Sequence, residues 1–245
     1  MSQQEKVELS VVIPAYNEEK RLGPTLMAVA DYFFSSGRNF EIIVVDDGSQ
    51  DGTRQVVEKM QREVFVRYRA GRLKLLSHEK NRGKGAAVKT GMLSAVGEIV
   101  LFTDADLSTP VTEFSKMEQA LMDGAEVAIA SRGLADSRIL LPQPWLRRQI
   151  GRIFPFLVRH LVLADFRDTQ CGFKAFRKAA AQKLFQALKT DGFAFDVEIL
   201  VRAKKLGMKV REVPVVWYNS EESKVTLWKS PWLMLREIMH IRRMR

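Results

Sequence analysis

The sequence predicts one α/β domain built on a mainly parallel, Rossmann-like sheet, and three observations lead there. Short apolar runs alternate with amphipathic stretches from residue 9 to residue 131. With 245 residues and 46% hydrophobic content, the chain can bury one sizeable core but is short for two. Acidic turns follow the apolar runs, at the strand ends where an open parallel sheet meets its ligands.

The elements follow in order. Residues 9–14 read as the first strand, 21–34 as a helix and 40–46 as the second strand. A helix over 53–67 opens on Asp51-Gly52-Thr53, where a side-chain oxygen can cap it. Strands at 73–78, 99–104 and 126–131 alternate with helices at 85–95 and 111–122, which completes a Rossmann-like half over 9–132. Beyond Arg132 the rhythm breaks at Pro142-Gln143-Pro144, and an arginine-rich amphipathic stretch follows. A short strand at 173–176, helices at 178–188 and 195–205 and a strand at 209–218 close the domain near residue 222.

The charge is localised. Lysines and arginines number 39 against 29 acids, a net +10, and two segments carry all of the excess. Residues 138–167 hold six arginines and one acid, and residues 223–245 hold six basic residues and one acid, so each contributes +5. Such clustering implies an anionic partner. Both segments also carry aromatic residues, Trp145, Phe154 and Phe156 in one and Trp228 and Trp232 in the other, which suits an anionic membrane surface better than a nucleic-acid backbone. Within 139–164, Ile150, Ile153, Phe154, Leu157, Val158, Leu161 and Val162 follow helical spacing, with Arg148, Arg152 and Arg159 on the other side. This reads as an interfacial helix, with a core-packed helix as the alternative. Ser230-Pro231 starts a second basic helix, for which a dimer contact is the alternative to membrane binding. The polar start of the chain lacks the pattern of a signal peptide, no apolar run reaches transmembrane length, and the lone Cys171 suits a reducing compartment. The expected location is therefore cytoplasmic, peripheral on the cytoplasmic face of a membrane.

Three motifs carry chemistry. Pro14, Tyr16 and Glu18 end the first strand, where an aromatic ring can flank a planar base and a carboxylate can accept from it. Asp46 and Asp47 end the second; adjacent carboxylates repel unless something compensates them, and strand alternation turns only one toward the pocket. Asp47 is assigned to base or ribose and Asp46 to holding the loop. Asp104-Ala105-Asp106 ends the fourth strand, and two carboxylates on one side of an extended strand can share Mg2+ or Mn2+ and the diphosphate it bridges.

Together with Asn81-Arg82-Gly83-Lys84-Gly85, these motifs resemble glycosyltransferase family 2 and its GT-A fold. Asp168-Thr169-Gln170-Cys171-Gly172-Phe173-Lys174, Phe195-Asp196-Val197-Glu198 and Glu222-Ser223-Lys224 resemble its polyprenyl-phosphate branch, the dolichyl-phosphate β-glucosyltransferases above all. The resemblance implies an inverting enzyme that moves a sugar, glucose from UDP-glucose first of all, to dolichyl or undecaprenyl phosphate. It implies that Pro14, Tyr16, Glu18 and Asp47 bind the nucleoside, that Lys84 and Ala105 line the donor, and that Asp104 and Asp106 hold metal and diphosphate. Arg132 and Lys224 match positions that reach phosphate. Ser108 and Tyr218 stand where related mannosyltransferases carry glutamine and arginine, which weighs against GDP-mannose.

Asp196 and Asp191 fall where relatives with hydroxyl acceptors keep a carboxylate base, and capping of the following helix is the alternative for Asp196. A phosphate-monoester acceptor needs positioning rather than a base, because its second pKa is about 6. The glycines at 83 and 85 follow the third strand and lack a third partner, which makes a poor dinucleotide fingerprint. A nucleic-acid-binding protein would account for the charge but not for the clustered carboxylates. The chain thus divides into a catalytic domain over 1–222, with donor half 9–132 and acceptor half 133–222, and a basic tail over 223–245.

Overall fold

The computed structural model describes residues 6–63, 65–67, 71–141, 162–219, 237 and 239–243. Its strands are β1 (Leu9–Ala15), β2 (Phe40–Asp46), β3 (Gly71–Ser77), β4 (Ile99–Thr103), β5 (Val127–Ser131), β6 (Arg138–Leu141), β7 (Phe173–Arg177), β8 (Val210–Pro214) and β9 (Val216–Tyr218). Seven of them form one sheet in the order β3-β2-β1-β4-β7-β5-β8, and β6 pairs with β9 in a small second sheet. All pairs in the main sheet are parallel except the two made by β7.

Helices α1 (Glu19–Ser35), α2 (Thr53–Glu63), α3 (Lys84–Ser94), α4 (Phe114–Met122), α5 (Lys178–Ala187) and α6 (Phe195–Lys205) cover both faces. Because both faces are covered, β1 and β2 read as near-continuous apolar runs, interrupted by Ser10 and Glu41, rather than alternating ones. On one face Leu22, Leu26 and Phe33 of α1 pack with Phe114 of α4, the two rings edge to face at 5.2 Å. On the other, Met92, Leu184, Phe185, Phe195 and Ile199 from α3, α5 and α6 close over Phe102 and Ile129. The sheet is thus clamped along its length, and its carboxyl edge becomes a fixed platform.

At the opposite edge, buried Glu41 pins three strands and a loop. Its carboxylate accepts from Ser10 Oγ at 2.5 Å and Val96 N at 2.9 Å and pairs with Lys74 at 2.6 Å. Burial opposes the charge, but the Lys74 and Ser10 hydrogen bonds outweigh it, so the carboxyl sits below its usual range.

Several expectations change. The helix read over 53–67 ends at Glu63, followed by a 3-10 turn at Phe65–Arg67. The strand read over 209–218 breaks at Val215, so β8 completes the main sheet while β9 leaves it for β6. The amphipathic segment read over 139–164 is described only at its two ends. Ile139 and Leu140 lie in β6, half exposed, while Val162 and Leu163 are buried in the core. Residues 142–161, which hold all of the helical reading but Val162, lie outside the described residues, as does 223–236 of the tail. Where the tail is described again, Ile241 is fully buried with Val162 and Leu163, and Arg242 and Arg243 are exposed. The two halves also share one sheet, since β7 and β8 flank β5.

Candidate active site

The carboxyl ends of β1, β2 and β4 carry the three motifs, and short hydrogen bonds lace their turns together. Asn17, with a left-handed φ of 56°, donates its N–H to Ser49 Oγ (2.9 Å) and accepts from Gln50 N through its side chain (2.8 Å). Glu18 N donates to Thr53 Oγ1 at 2.7 Å. The Glu18 carboxylate is gripped on both oxygens by Arg21 at 2.7 Å, and Tyr16, two residues earlier, is 37% exposed. Pro14 is the part-buried sixth residue of β1.

The aspartate doublet splits as strand geometry requires. Asp46 Oδ1 accepts from Ser49 N at 3.0 Å and holds the loop. Asp47 is buried, and its oxygens accept from Arg82 N at 3.0 Å, Gly83 N at 2.8 Å and His78 Nδ1 at 2.6 Å. Its carboxylate is therefore committed to organising the 81–83 loop.

β4 stops at Thr103, so the Asp104 and Asp106 pair lies on a turn and not on an extended strand. Leu107, with φ 44°, donates its N–H to Asp104 O at 3.3 Å, and Ser108 N donates to Asp106 Oδ1 at 3.0 Å. Ala105 is buried, and its carbonyl accepts from Thr25 Oγ1 of α1 at 2.6 Å, which ties the turn to the core. Lys84, the first residue of α3, reaches Asp104 at 2.6 Å and lies over the Phe102 ring at 5.5 Å. Burial disfavours its charge, yet Asp104, Asp196 and Asp106 outweigh that and raise its pKa. The lysine can come this close because Gly83 and Gly85 seat α3 on the chain at 190–192; a Cβ at either would strike a carbonyl of that segment. Asp106 has Arg21 at 3.9 Å. Two hard carboxylates beside a cation-rich rim suit Mg2+ or Mn2+ whose remaining ligands come from a diphosphate. Among the described residues no cluster of three or more acidic, histidine or cysteine side chains forms a self-sufficient metal cage.

Arg132 stands directly after β5. Its Nε and Nη2 meet the two oxygens of Asp168 at 2.6 and 3.0 Å, its own N–H adds a third bond at 3.1 Å, and Trp217 of β9 lies beneath its guanidinium at 5.4 Å. Burial works against the Asp168 charge, but Arg132 holds the carboxyl down at about 2. The pair therefore contributes stability above the unfolded carboxyl's pKa and loses it as pH falls from about 4 to about 2. The melting-temperature gap between wild type and Asp168→Asn is expected to be full at pH 6 and to shrink across that window. A gap independent of pH would overturn the linkage.

Asp196 does not cap α6. It is the helix's second residue, buried, and paired at 2.6 Å with Lys174, whose ammonium also donates to Cys171 O at 2.6 Å. Burial raises the Asp196 pKa against the pull of Lys174 and Lys84. Asp191 contributes its backbone, accepting from Ala86 N at 3.2 Å. Burial pushes the Cys171 thiol up to about 11, which removes it as a nucleophile. Lys224 lies outside the described residues. Arg21, Thr25 and His78 had no signal beyond residue type, whereas Asp168 and Lys174 sat in a motif already noticed without assigned tasks.

Residues 10–185 match the model of Glycosyl transferase family 2. The chain belongs to that family. Over 240 residues it is 39% identical to the dolichyl-phosphate beta-glucosyltransferase of Drosophila melanogaster, covering 94% of this chain and 72% of that protein. The human protein of the same name is 36% identical over 249 residues, 96% of this chain and 75% of its own. Among solved structures, glucosyl-3-phosphoglycerate synthase from Mycobacterium tuberculosis in complex with Mn2+, UDP-glucose and phosphoglyceric acid superposes with a TM-score of 0.70 at 17% identity, over 96% of this chain and 78% of that one. TarS 1–349 of S. aureus superposes with a TM-score of 0.61 at 22% identity, over 97% and 65%. The fold is GT-A, and the family 2 glycosyltransferase carries its acidic turns at the sheet edge described above.

Proposed function

We propose that this glycosyltransferase moves glucose from UDP-glucose to a polyprenyl phosphate with inversion at the anomeric carbon. One observation carries the reading. Paired acids on the β4 turn face cations held rigidly around them, Lys84 by the glycine-seated start of α3 and Arg132 by Asp168 and Trp217. Such an arrangement is made to receive a diphosphate and to stabilise the charge that grows on it as the sugar leaves. The names of the relatives at 34–39% identity supply the sugar and the class of acceptor.

In this reading Asp104 and Asp106 hold Mg2+ or Mn2+, which when bound offsets the charge of the leaving diphosphate. Tyr16 and Glu18 border the base. Asp47 acts through the 81–83 loop. Lys84 and Arg132, joined by Lys224, contact phosphate oxygens and favour the more highly charged transition state. The acceptor, a phosphate monoester whose second pKa is about 6, arrives largely dianionic and needs orientation more than deprotonation. Asp196, buried against Lys174, then shapes the acceptor side. The enzyme works at an anionic membrane surface, approached through the basic residues of 139–164 and 223–245. No helix among the described residues is long and apolar enough to cross a membrane, which fits peripheral attachment.

Incubating the full chain with UDP-glucose, GDP-mannose and other sugar nucleotides, with a polyprenyl phosphate in anionic vesicles, tests the proposal directly. Mass analysis is expected to find glucosylated lipid phosphate from UDP-glucose, lost in EDTA and restored by Mg2+ or Mn2+. Mannosylated lipid, a product on a hydroxyl acceptor only, or turnover indifferent to EDTA would overturn it. Sedimentation with the same vesicles should weaken at high salt, and failure to sediment at low salt would remove the membrane part.

A further inference from the structure

We propose that His78 is a positioning residue for the donor site. It locks the Asp47 carboxylate in the orientation that holds the 81–83 loop, and so sets Lys84 against Asp104. The kinetic part of this inference rests on the function proposed above; the structural part does not.

His78 directly follows β3, and its side chain is only 7% exposed. The ring bridges two elements. Nδ1 meets Asp47 Oδ1 at 2.6 Å, and Nε2 meets Thr90 Oγ1 of α3 at 2.9 Å. With Nδ1 donating its proton to the carboxylate, Nε2 is left as an acceptor for the threonine hydroxyl, so both ring nitrogens are satisfied by one tautomer.

Asp47 is the hub. Its N–H donates to Ala15 O and the His78 N–H donates to Asp46 O, each at 2.8 Å, so the ends of β1, β2 and β3 are already in register. What remains free to rotate is the carboxylate, and its rotation decides whether the Arg82 and Gly83 amides have acceptors. Gly48, at φ 72°, lies so close to the backbone of Lys80 and Asn81 that no Cβ fits between them, leaving the loop little room to settle elsewhere. Gly83 immediately precedes Lys84. A turned carboxylate would release two amides next to the lysine that pairs with Asp104.

An Asp-His-Thr chain also resembles the machinery that activates a hydroxyl nucleophile. Thr90 argues against that use. It lies six residues into α3 from Lys84, about 9 Å along the helix away from the acidic turn. The chain is a brace between the sheet edge and α3.

The two ring nitrogens have separable duties, and amide side chains can mimic them one at a time. His78→Asn places its NH2 near Nδ1 and retains the Asp47 partner; His78→Gln reaches toward Thr90 and leaves Asp47 without its donor. Hydrogen exchange at the Arg82 and Gly83 amides, followed in the full chain without substrate, reads the brace itself. His78→Gln is expected to speed exchange there by about tenfold or more, the size of one lost charge-assisted hydrogen bond. Its kcat should fall by about tenfold, with the KM for UDP-glucose changed by less than about threefold, because Lys84 acts mainly on the transition state. His78→Asn and Thr90→Val, which both lose only the outer bond, should match each other and stay near wild type. If His78→Gln does not fold, His78→Ala takes its place, since it too lacks the donor.

Intact amide protection in His78→Gln would overturn the proposal, and so would equal losses in the Asn and Gln variants, because bulk packing rather than the hydrogen bond would then be the cause. Lost protection in a protein whose wild type transfers no glucose would instead sink the proposed reaction and leave the brace standing.

Discussion

Replacing Gly172 with alanine is expected to cut turnover by about a hundredfold or more while leaving the melting temperature within a few degrees of wild type. The reason is a close approach. A Cβ at position 172 would overlap the Asp104 carboxylate, whose backbone N–H is held at 3.1 Å by the Gly172 carbonyl. Backbone on both sides is fixed by the β4–β7 pairing, where Thr103 stands opposite Phe173. The carboxylate is the part that can move. It would swing away from Lys84 and from any metal shared with Asp106, so the loss falls on function and not on folding. Steady-state rates across a Mn2+ and a Mg2+ titration, beside thermal melts, check this; near-normal turnover at low metal concentration would show that Asp104 does not act where the geometry puts it.

The second large effect is expected from Asp106→Asn. The amide keeps an oxygen that can accept from Ser108 N, at 3.0 Å in the wild type, so the turn survives. What disappears is one negative charge from the pair facing Lys84 and Arg21. Loss of one preorganised electrostatic contact at a developing charge costs on the order of 100- to 1000-fold in rate. Transfer should fall by at least that much, and metal-dependent UDP binding by calorimetry should weaken with it. Activity close to wild type would remove Asp106 from the metal site, and unchanged metal-dependent binding with slow transfer would move its role to the transition state alone.

Much of this architecture was legible in the residue order, for identifiable reasons. β2 and α6 have the bounds read from sequence because both are long, buried and uniformly patterned. The acidic motifs pointed to the site because carboxylates crowded at a strand end repel one another unless something compensates them. Other parts were illegible because their partners are remote. His78 lies 31 residues from Asp47, and Lys174 lies 22 from Asp196. A lone histidine or a lysine within an apolar run carries no sign of such a bond. The turn at 104–106 was misread as strand because hydrophobic alternation cannot mark where pairing stops. β6 was missed for another reason: Ile139 and Leu140 are both half exposed, so no alternation exists to be seen. The tail is the instructive case. Its basic, amphipathic pattern carries no sign that Ile241 is fully buried or that Glu237 accepts from Ala194 N at the start of α6, while Arg242 and Arg243 stay exposed.

The place of β7 in the sheet constrains how the chain comes to be folded at all. As ribosomal synthesis passes residue 131, β4 has β1 on one side but nothing on the other, and β5 has no neighbour whatever. Both wait for a strand more than forty residues later in the chain, which must arrive running the opposite way, before β8 can dock on β5 in turn. Closing such a loop costs entropy before any contact repays it, so pairing in this region is expected late in folding. Until then a nascent chain exposes two apolar strand edges, a vulnerable interval in which chaperones have work to do and in which truncations after residue 131 would aggregate.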